Sequence, residues 1–271
     1  MAKPDQYFLG YSAAEQERLR EQARQLAGES TSLFDQLGVS AGDRVVEIGC
    51  GPRGCLDLLS DRVGSTGSVV GVERSEDAVA MARSLIRDLG LANVEVLCCD
   101  ARSTGLPREG FDVVTGRLVL VNVPEPEEIL AEAVALVRPG GMVAFHEADW
   151  VLHMCDPPLE AWSRLMEVLR AYARLNGIDL FVGRRLPRML RDAGLVDVRI
   201  NPLVHVYAPD HGRRTIFVDF VGNLRERLSD QALIAADELN ALIDTVRAHI
   251  DDPTTTVVSH LFIQAWGRKP E

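Results

Sequence analysis

Apolar residues near the start of the chain recur at the spacing of a helix. Ser12 followed by Glu15 has the form of a capping box, in which a hydroxyl and a carboxylate together cap the first turn of a helix. The residues after Glu15 place leucine and alanine side chains on one helical face, and residues 30–37 indicate a second short helix. We therefore expect residues 1–40 to form a helical arm.

After residue 40 the pattern changes to short apolar runs that alternate with amphipathic segments. The run that begins at Val45 is almost continuously apolar and ends in glycines, as expected for a strand covered on both faces. Ser75 and Gly90 bound an amphipathic helix, and Pro126 begins another. Five strands with helices between them predict a parallel, doubly wound sheet. The strands are predicted at residues 45–48, 69–72, 94–97, 111–114 and 142–147.

The last part of the chain is less regular. Residues 195–207 indicate a strand that is interrupted at Pro202, and a final strand is predicted around residues 256–266. Helices are predicted over residues 158–175, 184–193, 213–227 and 230–250. We expect residues 209–252 to be a helical cap, inserted between the two closing strands and covering one edge of the sheet.

A glycine turn follows the first strand. Gly49-Cys50-Gly51-Pro52-Arg53-Gly54 matches the pattern G-x-G-x-x-G, and Glu73 stands 24 residues after Gly49. Glycines let the backbone approach a ligand at a helix N-terminus, and the acidic residue accepts hydrogen bonds from ribose hydroxyls. Both roles suit a nicotinamide dinucleotide and also S-adenosylmethionine, so the turn alone leaves two cofactors open.

Glu47 favours one of the two cofactors. It is a charged residue in an otherwise apolar strand, two positions before the first glycine. Burying an unpaired carboxylate costs several kcal/mol, so Glu47 needs a partner, either a cationic ligand or backbone donors of the glycine turn. A pyrophosphate would repel this charge. The sequence therefore favours S-adenosylmethionine over a nicotinamide cofactor.

Several segments of this region together resemble the motifs of class I S-adenosylmethionine-dependent methyltransferases. Residues 45–51 look like the first motif, Glu73 resembles the ribose-binding acid, and Cys99-Asp100-Ala101 resembles the segment that holds adenine. Residues 111–114 and 138–141 look like the motifs at the fourth strand and before the fifth. The resemblance implies a Rossmann-like α/β fold with seven strands, mostly parallel with the last strand antiparallel, formed by residues 41–208 and 253–271.

The N-terminal arm extends the resemblance. The segment from Tyr7 to Gln22 is similar to the leading helix of ubiquinone-biosynthesis-type and natural-product methyltransferases, which implies that residues 1–40 close as a lid over the cofactor. For Arg18 a helix that merely packs on the domain is an equally good interpretation, and for Arg117 so is an ordinary ion pair. The cofactor contacts implied by the resemblance are Tyr11, Arg18, Gln22, Glu47, Gly49, Gly51, Glu73, Arg74, Asp100, Ala101 and Arg117.

The sequence departs from the family pattern at two positions. The third glycine of the first motif falls at Arg53, with Gly54 one position later, so the turn is expected to have a different shape. Asn122 replaces the histidine that is common after the fourth strand in quinone-type enzymes. This second departure argues against a quinone precursor as the acceptor.

The candidate catalytic residues lie around the carboxyl end of the fifth strand and in the arm. A histidine that titrates near neutral pH is a plausible general base, so His146 and His153 are candidates. Tyr7 of the arm is the third candidate catalytic residue. Taken singly, either histidine fits a structural role better than a catalytic one. His146, Asp149, His153 and Cys155 fit no standard zinc spacing, so we expect no metal.

Composition limits the partners. The net charge of −11 and the pI near 5.1 repel phosphate backbones, which excludes a nucleic-acid substrate in the absence of a local basic patch. The five cysteines are odd in number and lack Cys-x-x-Cys spacing, and no apolar run approaches the length of a membrane span. We expect a cytoplasmic protein that acts on a small molecule, away from membranes, with the N-terminal arm available for exchange in a homo-oligomer.

The function expected from these observations is methyl transfer from S-adenosylmethionine to a mostly apolar or aromatic small molecule, on carbon or oxygen, as in specialised metabolism. Two alternatives stay open at this point. One is a cyclase or isomerase of the same fold that uses bound S-adenosylmethionine as a fixed cation. The other, against which Glu47 argues, is a nicotinamide-dependent oxidoreductase.

Overall fold

The computed structural model describes residues 13–271, and it contains a central sheet between two layers of helices. Ser12 of the predicted capping box lies outside the described residues. The strands are β1 Arg44–Ile48, β2 Ser68–Glu73, β3 Val94–Cys98, β4 Phe111–Arg117, β5 Val137–Asp149, β6 Met154–Asp156, β7 Val196–Leu203, β8 Val206–Tyr207, β9 Thr256–Val258 and β10 Leu261–Arg268. The helices are α1 Ala13–Gln25, α2 Ala27–Leu37, α3 Leu56–Val63, α4 Glu76–Leu89, α5 Pro126–Leu136, α6 Glu160–Leu175, α7 Val182–Asp192, α8 Ile216–Asn223, α9 Arg225–Asp230 and α10 Ala236–Asp251.

The main sheet has seven strands in the order β3-β2-β1-β4-β5-β10-β7. Strands β1 to β5 pair in parallel, and β10 is antiparallel to both of its neighbours, β5 and β7. This confirms the predicted Rossmann-like sheet with an antiparallel last strand. Pro202 lies within β7, at the edge of the sheet, where a residue without an N–H is tolerated because one side of the strand has no partner.

Two of the predicted strands are each divided in the structure. The predicted final strand is split into β9 and β10, and the strand predicted over residues 195–207 is split into β7 and β8. Strands β6, β9 and β8 form a separate three-stranded sheet that the sequence pattern did not predict. Strands of two or three residues are too short to show an alternating pattern, so only their tertiary pairing reveals them.

Adjacent residues of β1 pack on opposite faces of the main sheet. Val45 packs in the cluster under α3 and α4, whereas Val46 and Ile48 pack in the larger cluster that includes α5. This two-sided burial explains the nearly continuous apolar run, and it leaves the carboxyl end of β1 as the place where polar groups can gather. No helix within residues 13–271 has both the length and the apolar character needed to cross a membrane.

Candidate active site

A cavity of about 530 Å³ opens at the carboxyl ends of β1, β2 and β4 and extends under α1, α6 and α8. A volume of this size is typical of small-molecule sites. Every cofactor residue predicted from the sequence that lies in the described part of the chain lines this cavity. They are Arg18, Gln22, Glu47, Gly49, Gly51, Glu73, Arg74, Asp100, Ala101 and Arg117. Tyr7 and Tyr11 lie outside the described residues.

Gly49, Gly51 and Gly54 all adopt left-handed backbone angles, with φ of +65°, +57° and +55°. A Cβ on Gly49 would lie 2.5 Å from a methyl group of Val119, so the turn packs directly against the segment that follows β4. Gly51 is different, because it borders the cavity and a Cβ there would meet nothing within 4 Å. A ligand can therefore approach the backbone at Gly51 closely.

Glu47 is buried beneath this turn. The backbone N–H of Cys55 donates to both of its carboxylate oxygens, at 2.8 and 2.9 Å. Burial raises the pKa of Glu47 to about 7, against the opposing effects of the Arg117 charge and the Cys55 hydrogen bonds. The partner required by the sequence argument is thus a backbone donor at the end of the glycine turn.

Backbone donors also fix the carboxylate of Glu73. Its Oε2 accepts from the N–H of Gly51 at 3.1 Å, and its Oε1 accepts from the N–H groups of Arg74 and Ser75 at 2.8 and 2.7 Å. These bonds hold the carboxylate at the cavity edge and leave further lone pairs for a ligand's hydroxyl groups.

Asp100 lies near Glu73 in the same cavity wall but is held by a side chain. Arg102 donates to it from Nε at 3.0 Å and from Nη2 at 2.6 Å, and the Arg102 backbone N–H donates to Oδ1 at 2.9 Å. The hydrogen bond from Arg102 lowers the pKa of Asp100 below its ordinary value. Asp100 is therefore an ionised acceptor at the cavity wall.

Arg117 ends β4 and crosses to the N-terminal helices. Its Nη1 donates to Ser30 Oγ at 2.7 Å, and its Nη2 lies 3.4 Å from the carbonyl oxygen of Gly54. It is therefore not an ordinary surface ion pair but a cation at the cavity, between the glycine turn and α2.

Arg18 belongs to a polar network that attaches α1 to α8. Its guanidinium donates to both oxygens of Glu15, at 2.8 and 2.6 Å, and to Gln22 Oε1 at 2.9 Å. Asn223 of α8 donates to Glu15 Oε2 at 3.1 Å. Since Glu15 is buried, this network holds α1 over the cavity in a defined position.

The rest of the cavity wall is mainly apolar. Leu118, one of its residues, has φ of +55°, a conformation that costs a non-glycine residue about 1–2 kcal/mol. The backbone N–H of Leu118 donates to the His146 carbonyl at 2.8 Å, and its own carbonyl accepts from Asn122 Nδ2 at 2.7 Å. These bonds hold the strained residue in place at the end of β4. The apolar side chains that line this wall are Leu118, Val121, Ile129, Trp150, Ile178, Leu180, Ile216 and Phe220.

The structure does not bring the two predicted catalytic histidines to the cavity. Neither His146 nor His153 lines it, and burial lowers the pKa of each to about 3. His153 is stacked between Trp150 and Trp162, with ring centres 5.2 and 5.0 Å away. Their side chains instead pack among aromatic rings: His146 lies 5.1 Å from Phe262 of β10, and His153, which follows the end of β5, lies 5.3 Å from Phe217 of α8, as measured between ring centres.

His260 is the histidine that lines the cavity within residues 13–271, and the sequence analysis missed it. It lies between β9 and β10, in what the sequence pattern presented as one continuous strand. Burial lowers its pKa well below the ordinary histidine value, so it is neutral at pH 7. A histidine beside a serine within an apolar strand was the available signal. In the described part of the chain no group of three His, Cys, Asp or Glu residues is placed to hold a metal ion.

The sheet order, the glycine turn and the acidic residues at the ends of β2 and β3 define a class I methyltransferase fold. The sequence profile of a family described as a methyltransferase domain matches residues 39–194, which is more than half of the chain. The chain belongs to this family of S-adenosylmethionine-dependent methyltransferases. Membership argues against the nicotinamide-dependent alternative.

Three known proteins illustrate the similarity. Aklanonic acid methyltransferase DauC of Streptomyces sp. (strain C5) is 30% identical over 142 residues, which cover 46% of this chain and 64% of the relative. The crystal structure of the cyclase SpnF has a TM-score of 0.55 at 21% identity, and the match covers 89% of this chain and 81% of the SpnF chain. The structure of geranyl diphosphate methyltransferase in complex with SAM has a TM-score of 0.54 at 18% identity, and the match covers 99% of this chain and 100% of that protein.

These similarities differ in what they establish. The two solved structures are below 25% identity and show the shared fold. The match to DauC spans less than two thirds of that relative's length. The acceptor therefore has to be argued from the cavity itself.

Proposed function

We propose that the protein transfers the methyl group of S-adenosylmethionine to a mostly apolar or aromatic small molecule, on carbon or oxygen. One observation carries the proposal. A single cavity joins the glycine turn and its carboxylates to an apolar wall built from the segment after β4, the segment after α6, and α8. Donor and acceptor would thus share one space, as a direct transfer requires.

The described residues fit the donor. Open space at Gly51 admits a ligand against the backbone, and Glu73 offers oxygen lone pairs to ribose hydroxyls. Asp100 and Ala101 would hold the adenine, and Arg117 would pair with the carboxylate of the methionine part. Glu47 would shape the turn from below. Arg18 and Gln22 would close the cavity as part of the arm, formed by residues 1–40.

When bound, S-adenosylmethionine supplies an electrophilic methyl group on a sulfonium. The chain's contribution is to orient the acceptor and to exclude water, which is the role of the apolar wall around Leu118 and Phe220. His260, neutral and at the cavity, would hydrogen-bond a polar atom of the acceptor. Its lowered pKa makes it a weak base, so we assign it positioning rather than proton removal.

Isothermal titration with S-adenosylmethionine and S-adenosylhomocysteine tests the donor site. We expect both to bind, and binding by neither would contradict the proposal. Incubation with S-adenosylmethionine and a panel of hydroxylated polycyclic aromatics, followed by mass spectrometry, tests the transfer. A mass gain of one methyl group together with release of S-adenosylhomocysteine is the expected result.

The same measurement distinguishes the second candidate, a cyclase that keeps S-adenosylmethionine as a fixed cation. The fold shared with SpnF is compatible with that reaction. Turnover of an acceptor without release of S-adenosylhomocysteine would favour it, whereas stoichiometric release would exclude it. We further propose that residues 209–252, which contain α8 to α10, act as the cap that selects the acceptor in either reaction.

A further inference from the structure

Two neighbouring arginines before α8 are both buried but are partnered very differently. Arg213 is 3% exposed and Arg214 is 4% exposed. Arg214 donates to the backbone carbonyls of Ile250, Tyr207, Asp252 and Thr255. Arg213 donates from Nε to Tyr207 Oη at 3.1 Å, but within residues 13–271 its Nη1 and Nη2 have no acceptor.

Within residues 13–271 no carboxylate pairs with Arg213, and its surroundings are aromatic and imidazole rings. Its guanidinium carbon lies 5.5 Å from the centre of the Phe262 ring. The rings of His260, His146 and His205 lie 4.2, 5.1 and 6.0 Å from the same centre. The acid recorded near this group is Glu29, and it faces His205, with its Oε1 3.2 Å from Nε2. We call Arg213, His146 and His260 the basic cluster.

The basic cluster contains further buried polar atoms without a partner, and each neutral imidazole has one donor and one acceptor nitrogen. Both ring nitrogens of His146 and of His260 also have no partner in the described part of the chain. A guanidinium only donates hydrogen bonds, and a buried guanidinium without a counter-ion is strongly unfavourable. The partner that Arg213 lacks is therefore a hydrogen-bond acceptor, and a negatively charged acceptor satisfies Arg213 best.

The basic cluster adjoins the cavity through His260, whereas Arg213 and His146 are not among the residues that line it. His260 belongs to the cluster and also lines the cavity. Ile216, which follows Arg213 by three residues as the first residue of α8, lines the cavity as well. An acceptor that lies along the apolar wall would thus bring one of its ends to the cluster.

We propose that the basic cluster binds an anionic oxygen group, a carboxylate or a phosphate, on the acceptor. The inference rests on the proposed function, because it assigns a substrate class to the same cavity. The acceptor is then amphipathic, with an apolar or aromatic body along the wall and one anionic group at Arg213. This anchored group is distinct from the atom that receives the methyl group.

Titration with matched probes tests the inference on the full chain saturated with S-adenosylhomocysteine. The probes are 2-naphthoate, its neutral analogue 2-naphthamide, and 2-naphthyl phosphate. We expect one of the anions to bind about tenfold or more tightly than the amide, the ratio that a charge-assisted hydrogen bond supplies. The tighter anion identifies the source of the charge.

Variants locate the effect. In Arg213→Met the ratio of anion to amide affinity should fall to about one, whereas Arg214→Lys should keep the wild-type ratio. A wild-type ratio near one, no anion binding at millimolar concentration, or a ratio that persists in Arg213→Met would each overturn the inference. Failure of S-adenosylhomocysteine to bind the wild type would instead count against the proposed function.

Thermal unfolding without ligands gives an independent measurement. Arg213→Met removes an uncompensated buried charge and keeps much of the side-chain volume, so the Tm should rise or stay unchanged. Arg214→Met leaves several backbone carbonyl groups without a hydrogen-bond donor and should lower the Tm. If both variants lower the Tm equally, Arg213 is a structural residue and the inference is wrong.

Discussion

The carboxylate of Glu47 occupies the space into which a side chain on residue 54 would project, because a Cβ on Gly54 would lie 2.5 Å from Glu47 Oε2. The same Cβ would lie 2.8 Å from the carbonyl oxygen of Cys50. The glycine displaced from position 53 to position 54 therefore makes room for a buried charge of the protein. Arg53, which stands where the family has its third glycine, is not among the residues that line the cavity.

Gly54→Ala tests this relationship. The substitution combines a clash with Glu47 and an unfavourable φ, so we expect a loss of about 2–4 kcal/mol in the free energy of unfolding and weaker binding of S-adenosylhomocysteine. Chemical denaturation and titration calorimetry measure the two effects. Gly90→Ala is the matched control, since Gly90 has φ of +66° and a Cβ there meets nothing within 4 Å. Equal losses in both variants would show that φ alone matters.

Glu73→Gln should weaken S-adenosylhomocysteine binding about ten- to hundredfold, the effect of losing charge-assisted hydrogen bonds. The amide would also place an NH₂ group opposite a backbone donor, either Gly51 N–H or the pair from Arg74 and Ser75. Calorimetry measures the affinity. Glu76→Gln changes an exposed carboxylate outside the cavity and should leave it unchanged. Unaltered affinity in Glu73→Gln would remove Glu73 from the donor site.

His153→Phe should flatten the dependence of stability on pH. Burial lowers the pKa of His153 to about 3, so the unfolded chain binds a proton below its pKa near 6.5 while the folded chain does not. This contribution to stability is present above pH 6.5 and is lost as the pH falls toward 3. Between pH 6 and 4 the variant should lose less stability, by about 1.4 kcal/mol per pH unit.

Denaturation at several pH values measures that slope. The raised pKa values of Glu47 and Glu147 act with the opposite sign, but both residues stay in the variant and cancel in the comparison. Phe217→Leu is the control, because it alters packing beside His153, 5.3 Å between ring centres, without removing a titratable group. An unchanged slope in His153→Phe would show that the folded protein protonates this histidine.

Asn223→Ala should loosen α1. The variant loses the partly buried hydrogen bond from α8 to Glu15, and such a bond contributes about 1 kcal/mol, or about fivefold in local opening. Hydrogen–deuterium exchange should show faster uptake in α1 and unchanged uptake in α4. Ser229→Ala, in the neighbouring helix α9, should leave α1 as in the wild type. No change in α1 would mean that other contacts hold the arm.

Local pattern predicted the five parallel strands of the main sheet, and the resemblance to class I methyltransferases supplied the antiparallel last strand and most of the predicted residues that line the cavity. The strand at Val45 and the glycine turn after it can be recognised from adjacent residues alone, and Glu73 follows the turn at a fixed spacing. The basic cluster was out of reach, because His146 and Phe262 meet only through the register of β5 and β10, in which His146 is paired with Gln264. His146 and His153, which were predicted as bases, do not line the cavity, because tertiary packing rather than local pattern decides where their side chains lie.

Three residues that the proposals assign to the acceptor, Arg213, Ile216 and Phe220, fall within eight consecutive residues. The donor residues Glu47, Glu73, Asp100 and Arg117, in contrast, lie in or just after four strands and inside the region matched by the family profile, which ends at residue 194. The proposals therefore imply that substitutions within residues 213–220 change acceptor selectivity and leave the affinity for the methyl donor unaltered.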